Sequence, residues 1–249
     1  MSKRGSGPRT FPGFPRAALQ FLSDLKTHNT REWFQDHQET YQECAKGPMV
    51  EIIHRLGEAF SRFAPEIIAD PKISIYRIHR DIRFSRDKSP YKTHVAAIFP
   101  VRGVPKNSSP GLYFHVAAGE VLMGGGVYMP EPALLRAVRE QIAASPREFL
   151  AIVEGRRFRR DFGELEGEQL KTMPKGFSPD HPAARYLRYK QFLFGEVHPP
   201  KLATSPRLVP TLLDCFRNGM PLIRFLAAAV PKGSPANPLP ALRRSLRLL

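Results

Sequence analysis

Apolar residues recur at three- and four-residue spacing through PRAALQFLSDLKTHN, so Ala18, Leu19, Phe21, Leu22 and Leu25 share one face of a predicted helix. An extended anchor, FPGF (11–14), precedes it. Thr30 is placed to N-cap the next helix, with Trp33 and Phe34 near its start and Tyr41 further along. Pro48 opens a third helix through about Phe63, carried by Ile52, Ile53, Leu56, Ala59, Phe60 and Phe63.

The pattern then changes. KISIYRIHR (72–80) is rich in β-branched residues and predicts a strand, VAAIFP (95–100) a second, and GLYFHVAAGEVLMGGGVYM (111–129) two more around a turn at Ala118-Gly119. Short connections favour antiparallel pairing, so the expectation is a meander of at least four strands. Helices return over 130–145 and 145–155, then after an irregular stretch, 156–181, from Pro182 to about Phe192 and near 206–229. Helices on both sides of a run of strands predict an α+β fold: an antiparallel meander flanked by N-terminal and C-terminal helices.

Composition fits one globular domain over 11–230 between a flexible basic tail, 1–10, and a disordered Pro-rich basic tail, 231–249. Hydrophobic residues are 42% of the 249-residue chain, enough for a core. The two cysteines, Cys44 and Cys215, stand in no metal-ligand spacing and predict a reducing compartment. No apolar run approaches the ~20 residues of a membrane span, and the N-terminus does not read as a signal peptide, so a soluble, cytoplasmic setting is expected. The formal net charge is +15, but the two tails hold seven of the cations and no acid.

Several tempting motifs fail on context. His79-Arg80-Asp81 and Asp161-Phe162-Gly163 spell two protein-kinase triplets, yet Arg86 stands where a kinase needs Asn, and no glycine-rich loop precedes them. Gly124-Gly125-Gly126 lacks phosphate-loop spacing and reads as a bulge or a close backbone approach; the alternative is an anion site before the helix near Pro130. His79, Asp81, His94 and His115 would need neighbouring strands to meet at a metal, and no HExxH spacing supports one. Hydrogen-bonding roles are expected of them, and no cofactor is implied.

The informative stretch is RIHRDIRFSRDKSPYKTH (77–94), with six basic residues, two aspartates and two histidines. Arg77, Arg80, Arg83 and Arg86 recur every third residue, which keeps them on one face of neither a strand nor a helix. Asp81 and Asp87 can fix guanidinium groups through paired hydrogen bonds, and Ile82, Phe84 and Tyr91 call for burial. Two readings stay open: an anion pocket, or an ion-pair network that locks the loop.

FPGFPRAALQFLSDLKTHNTREWF, YRIHRDIRFSRDKSPYKTHVAAIF, GGGVYMP and LKTMPKGFSPDHPAARYLRYKQF, in that order, closely resemble the family called domain of unknown function 2461, from about Phe11 to Val230. The resemblance implies a fold and a polar signature, including Asn29, Arg77, Arg80, Asp81, Arg83, Asp87, Lys88, Tyr91, Lys92, Lys171, Lys175 and His181, but no activity. His28 and His79 stand where relatives often carry Asn, which speaks against a direct catalytic role for either.

The leading expectation is a pocket for a phosphorylated or acidic small molecule. Its lining would be Arg77, Arg80, Asp81, Arg83, Lys88, Tyr91 and Lys92, with Lys171 and Lys175 from a loop folded over the meander and Trp33 as an aromatic wall. The alternative is a nucleic-acid-associated module that grips phosphates with the tails, the Arg-rich segment and RRFRR (156–160). A third is an interaction protein whose polar signature is structural.

Overall fold

The computed structural model describes residues 10–104 and 109–230. The chain opens with α1 (Arg16–Thr27), α2 (Arg31–Asp36) and the single turn α3 (Gln38–Thr40). A π-helical stretch, Tyr41–Lys46, then runs into α4 (Gly47–Phe63). Thr30 caps α2 as expected, its side chain accepting from Trp33 N at 3.2 Å. After α5 (Pro71–Ser74) come β1 (His94–Pro100), β2 (Gly111–Ala117) and β3 (Val121–Val127). The helices α6 (Pro132–Ala144), α7 (Pro146–Val153), α8 (Arg156–Phe162) and α9 (Ala184–Leu187) lead to β4 (Phe192–His198), and α10 (Leu208–Ala228) closes the described chain.

The sheet is a four-stranded antiparallel meander in the order β1-β2-β3-β4, so the fold is α+β, but its strands are not the four expected. Residues 72–80 do not form a strand. Asp70 accepts from Lys72 N at 2.8 Å and Pro71 takes the first helical position, which starts α5. Only Ile75 bridges to β1, at Ala97, before the chain leaves the sheet. The fourth strand is Phe192–His198, where a helix through about Phe192 was expected; that helix is the single turn Ala184–Leu187. The irregular stretch 156–181 contains α8. Both tails lie outside the described residues.

Alternation gives the sheet two unlike faces. One carries Phe99, Phe114, Val116, Val121, Met123, Phe192 and Phe194, all nearly inaccessible. It is covered by α4 and α10: Phe216 lies 5.8 Å from Phe99 and 6.0 Å from Phe60, ring to ring. Gly219 gives Phe194 its place, since a Cβ there would run into the Phe194 ring. The glycine run belongs to this packing. Gly126 has φ +129, and an added Cβ would strike the Phe192 carbonyl oxygen in β4, so close strand approach explains it.

The second face carries His94, Ala96 and Ile98 from β1, Tyr113, His115 and Ala117 from β2, Leu122 from β3, and Leu193 and Val197 from β4. Ile98, Tyr113, Leu122 and Leu193 are half-buried and Val197 is exposed, so this face is the more open one.

Candidate functional site

The basic stretch folds as a hairpin-like loop on the free edge of β1. Arg80 N donates to Pro90 O and Lys92 N to Ile78 O, both at 2.8 Å, and His79 bridges to Tyr91. Asn29 clamps it to the helices, its Nδ2 donating to Tyr91 O at 3.0 Å and its Oδ1 accepting from Tyr91 N at 2.9 Å. The Phe34 and Tyr91 rings stack at 4.1 Å, and His79 packs 5.1 Å from Tyr91. Ile78 and Tyr91 are buried, as their apolar character demands.

Four of the hairpin's eight Arg, Lys and Asp side chains pair with one another, and two more bond its backbone carbonyls. Arg83 donates from Nε and Nη2 to both carboxylate oxygens of Asp81, at 2.9 and 2.7 Å. These hydrogen bonds, with the backbone one from Arg83 N, hold the Asp81 carboxyl at about 2, below the usual carboxylate range. Asp87 is pushed down by the Ser89 hydroxyl and amide first and by its ion pair with Arg80 after them. Lys88 Nζ donates to Ile82 O at 3.0 Å and Lys92 Nζ to Arg77 O at 2.6 Å. The ion-pair network is therefore present, and it takes up Arg80 and Arg83. Arg77 and Arg86 differ: both are exposed and neither guanidinium makes a hydrogen bond or ion pair among the described residues, although the Arg77 charge helps to lower Asp81.

Where the hairpin meets the open face lies a polar cluster. His115 Nε2 stands 3.2 Å from Glu120 Oε1 and its Nδ1 3.1 Å from Tyr113 Oη. A carboxylate only accepts, so Nε2 carries the proton and Nδ1 accepts from the phenol. The His94 ring lies 4.9 Å from that of His115 and makes no hydrogen bond among the described residues. Burial, then His115, then Lys92 push His94 down to about 4. Burial also lowers His115, against the pull of Glu120. Tyr76 lies 6.3 Å from Tyr113, ring to ring, and burial pushes its phenol up to about 12. At neutral pH the floor is therefore uncharged imidazoles and phenols. The Lys92 ammonium sits 5.4 Å from the centre of the Tyr76 ring.

The remaining sequence candidates lie elsewhere. Residues 166–170 pair with 188–193 along the β4 edge, and Lys171 and Lys175 follow in that loop, while the hairpin lies along the β1 edge. Three strand spacings of about 4.8 Å separate those edges. His181 Nε2 lies 3.2 Å from Ala143 O at the end of α6, which ties the loop to that side. Lys171, Lys175 and Arg77 therefore do not line one cleft. Trp33 packs between His37, at 3.9 Å, and His28, at 6.0 Å, and meets Phe21 at 5.6 Å. In the basic run 156–160, Arg157 bonds Asn218 and Arg160 grips Asp161.

Of the four metal candidates, only His94 and His115 meet, and among the described residues no group of three or more His, Cys, Asp or Glu is arranged to hold a metal ion. Tyr113, Glu120 and Tyr76 were not singled out in the sequence. The signal for Tyr113 was there: in GLYFHVA it stands two positions from His115, on the same face of a strand. Among the described residues, no helix is long and apolar enough to cross a membrane.

The model of a family described as Conserved hypothetical protein (DUF2461) matches residues 17–225. No curated protein and no solved structure matches the chain.

Proposed function

The chain belongs to that family, whose description names no activity, and from the geometry we propose that it binds a small phosphorylated or carboxylate-bearing molecule where the hairpin meets the open sheet face. One observation carries the reading: Lys92 bonds the Arg77 carbonyl and acts by charge on His94, and the side chains of Arg77 and His94 make no hydrogen bond or ion pair among the described residues. Arg77 and Lys92 supply positive charge at the rim. His94 offers a donor and an acceptor from a half-buried, neutral ring, and the Glu120–His115–Tyr113 chain holds the floor rigid. Arg80, Arg83, Asp81 and Lys88 shape the hairpin in this reading, and the anion rests on Arg77 and Lys92. A nucleic-acid grip through 156–160 has less support, because Arg157 and Arg160 are engaged within the fold.

The test is thermal shift with sulfate and with citrate on the full chain. A ligand that binds only the folded state at 100-fold its Kd adds about 2.7 kcal/mol of stability. Both probes should raise the melting temperature, and Arg77→Ala and His94→Ala should each reduce the shift. An unchanged melting temperature with both probes, or full shifts in both variants, overturns the reading.

A further inference from the structure

Arg139, in α6, is 8% exposed and has no counter-ion among the described residues. Its Nη2 donates to Tyr189 O at 2.9 Å, while its Nε is enclosed with no hydrogen-bond partner. Nη1 bonds nothing among the described residues and is not enclosed as Nε is, so it is the open end of the group. Glu140, the next residue, is exposed and bonds Arg136 at 2.8 Å instead. Arg83, Arg160 and Arg185 are each pushed up by a bonded carboxylate, whereas burial alone acts on Arg139 and pulls it down. A guanidinium cannot shed its proton, so this charge stays where water has been removed. A fold that needed only a donor for the Tyr189 carbonyl could use an amide and avoid that cost.

We infer that Arg139 anchors a second oxyanion site, which takes the phosphate or carboxylate group of a small molecule at the junction of α6 with the segment leading into β4. A water could satisfy an open donor, but it brings no charge; an oxyanion does both. The neighbourhood is cationic. Arg188 directly precedes Tyr189, and its carbonyl accepts from Leu170 N at 2.8 Å, which places Lys171 next along the facing strand of chain. Arg188 is half-buried and Lys171 exposed, and neither side chain makes a hydrogen bond or ion pair among the described residues. Lys190, on the other side of Tyr189, is taken by Glu168 at 3.0 Å. One turn further along α6, Ala143 O meets His181 Nε2 at 3.2 Å, so the loop that carries Lys171 is fastened to the same helix. With so little of Arg139 reachable, the contact fits one oxyanion group and not the face of a protein or a polyanion strand. The site lies on the β4 side of the sheet, apart from the hairpin at the β1 edge.

The test is NMR of the arginine Nε–H groups in the full chain, with sequential assignment, during titration with inorganic phosphate. The Arg139 signal should move and saturate, and sodium chloride at equal ionic strength should leave it in place. Arg139→Gln keeps a donor for the Tyr189 carbonyl but removes the charge, and should weaken phosphate binding at this site about ten-fold in calorimetry. Arg77→Ala should leave the response of the Arg139 signal intact, which separates this site from the one at the hairpin. A signal that phosphate does not move overturns the inference even where the glutamine variant fails to fold. Equal movement with sodium chloride, or phosphate binding by Arg139→Gln as tight as in wild type, overturns it too and leaves Arg139 as a fastener between α6 and the lead into β4. Loss of the Arg139 response in Arg77→Ala also overturns it, by reducing the two sites to one.

Discussion

His94 is held neutral by its surroundings, and that has a consequence for acid stability. Its folded-state pKa, about 4, lies below the ordinary 6.5, so the unfolded chain takes up the proton first as pH falls. Stability is therefore full above pH 6.5 and declines between 6.5 and about 4, with a loss of about 3 kcal/mol at 1.36 kcal/mol per pH unit. His115 acts in the same direction, whereas Asp81 destabilises only below its usual 3.8, toward about 2. The windows are separate enough to read apart. Urea unfolding from pH 7 to pH 4 should show the decline, and His94→Gln should flatten it; a variant as acid-sensitive as wild type overturns the assignment. In the sequence, the hairpin was legible as the place to look, because Ile82, Phe84 and Tyr91 stood among its charges. Which arginines remain available was not. That depends on Asp81 chelating Arg83 and Asp87 pairing Arg80, choices made by the folded loop and not by spacing.

At the scale of elements, Gly219 sets how closely α10 packs on β4. Gly219 sits inside a helix, where alanine is intrinsically better by about 1 kcal/mol. A Cβ there would drive into the Phe194 ring, which is itself wedged 4.6 Å from Phe162 and 6.2 Å from Phe158. Overpacking of this kind costs about 1–3 kcal/mol, so the clash outweighs the propensity. Gly219→Ala should lower stability in chemical denaturation, and a stabilised variant shows that the sheet yields. The same pair of elements marks the limits of the sequence reading. Amphipathic periodicity revealed α1, α4, α6, α7 and α10, because each buries one stripe. β4 was hidden: FLFGEVH follows a run, ARYLRYKQ, whose apolar spacing suits a helix, and only pairing with β3 decides for a strand. The misassigned strand over 72–80 shows the reverse, since Asp70-Pro71 is a helix-start signal that outweighs the β-branched residues behind it.

Across the whole molecule, stability is unevenly distributed, and the candidate site lies on the gradient. Buried residues from Phe11 to Leu226 form one connected core. β2 and β3 are its centre, each hydrogen-bonded on both edges. The hairpin is closed on itself by the Arg80–Pro90 and Lys92–Ile78 backbone bonds and exposed ion pairs, and it is tied to the helices by the Asn29 clamp. Elements held by few buried contacts open locally, at a free energy below that of global unfolding. The amides of Arg80 and Lys92 should therefore exchange with solvent faster than those of Phe114 and Met123, which face each other in the sheet. Asp87→Ala removes the partner of Arg80 and the acceptor of both Ser89 bonds, so it should speed exchange at Arg80 and Lys92 and leave Phe114 and Met123 unchanged. Residue-resolved hydrogen exchange measures both groups at once. If Arg80 and Lys92 exchange as slowly as the central strands, the hairpin unfolds with the core. If they exchange faster and sulfate slows them, the ligand site and the hairpin open and close as one unit.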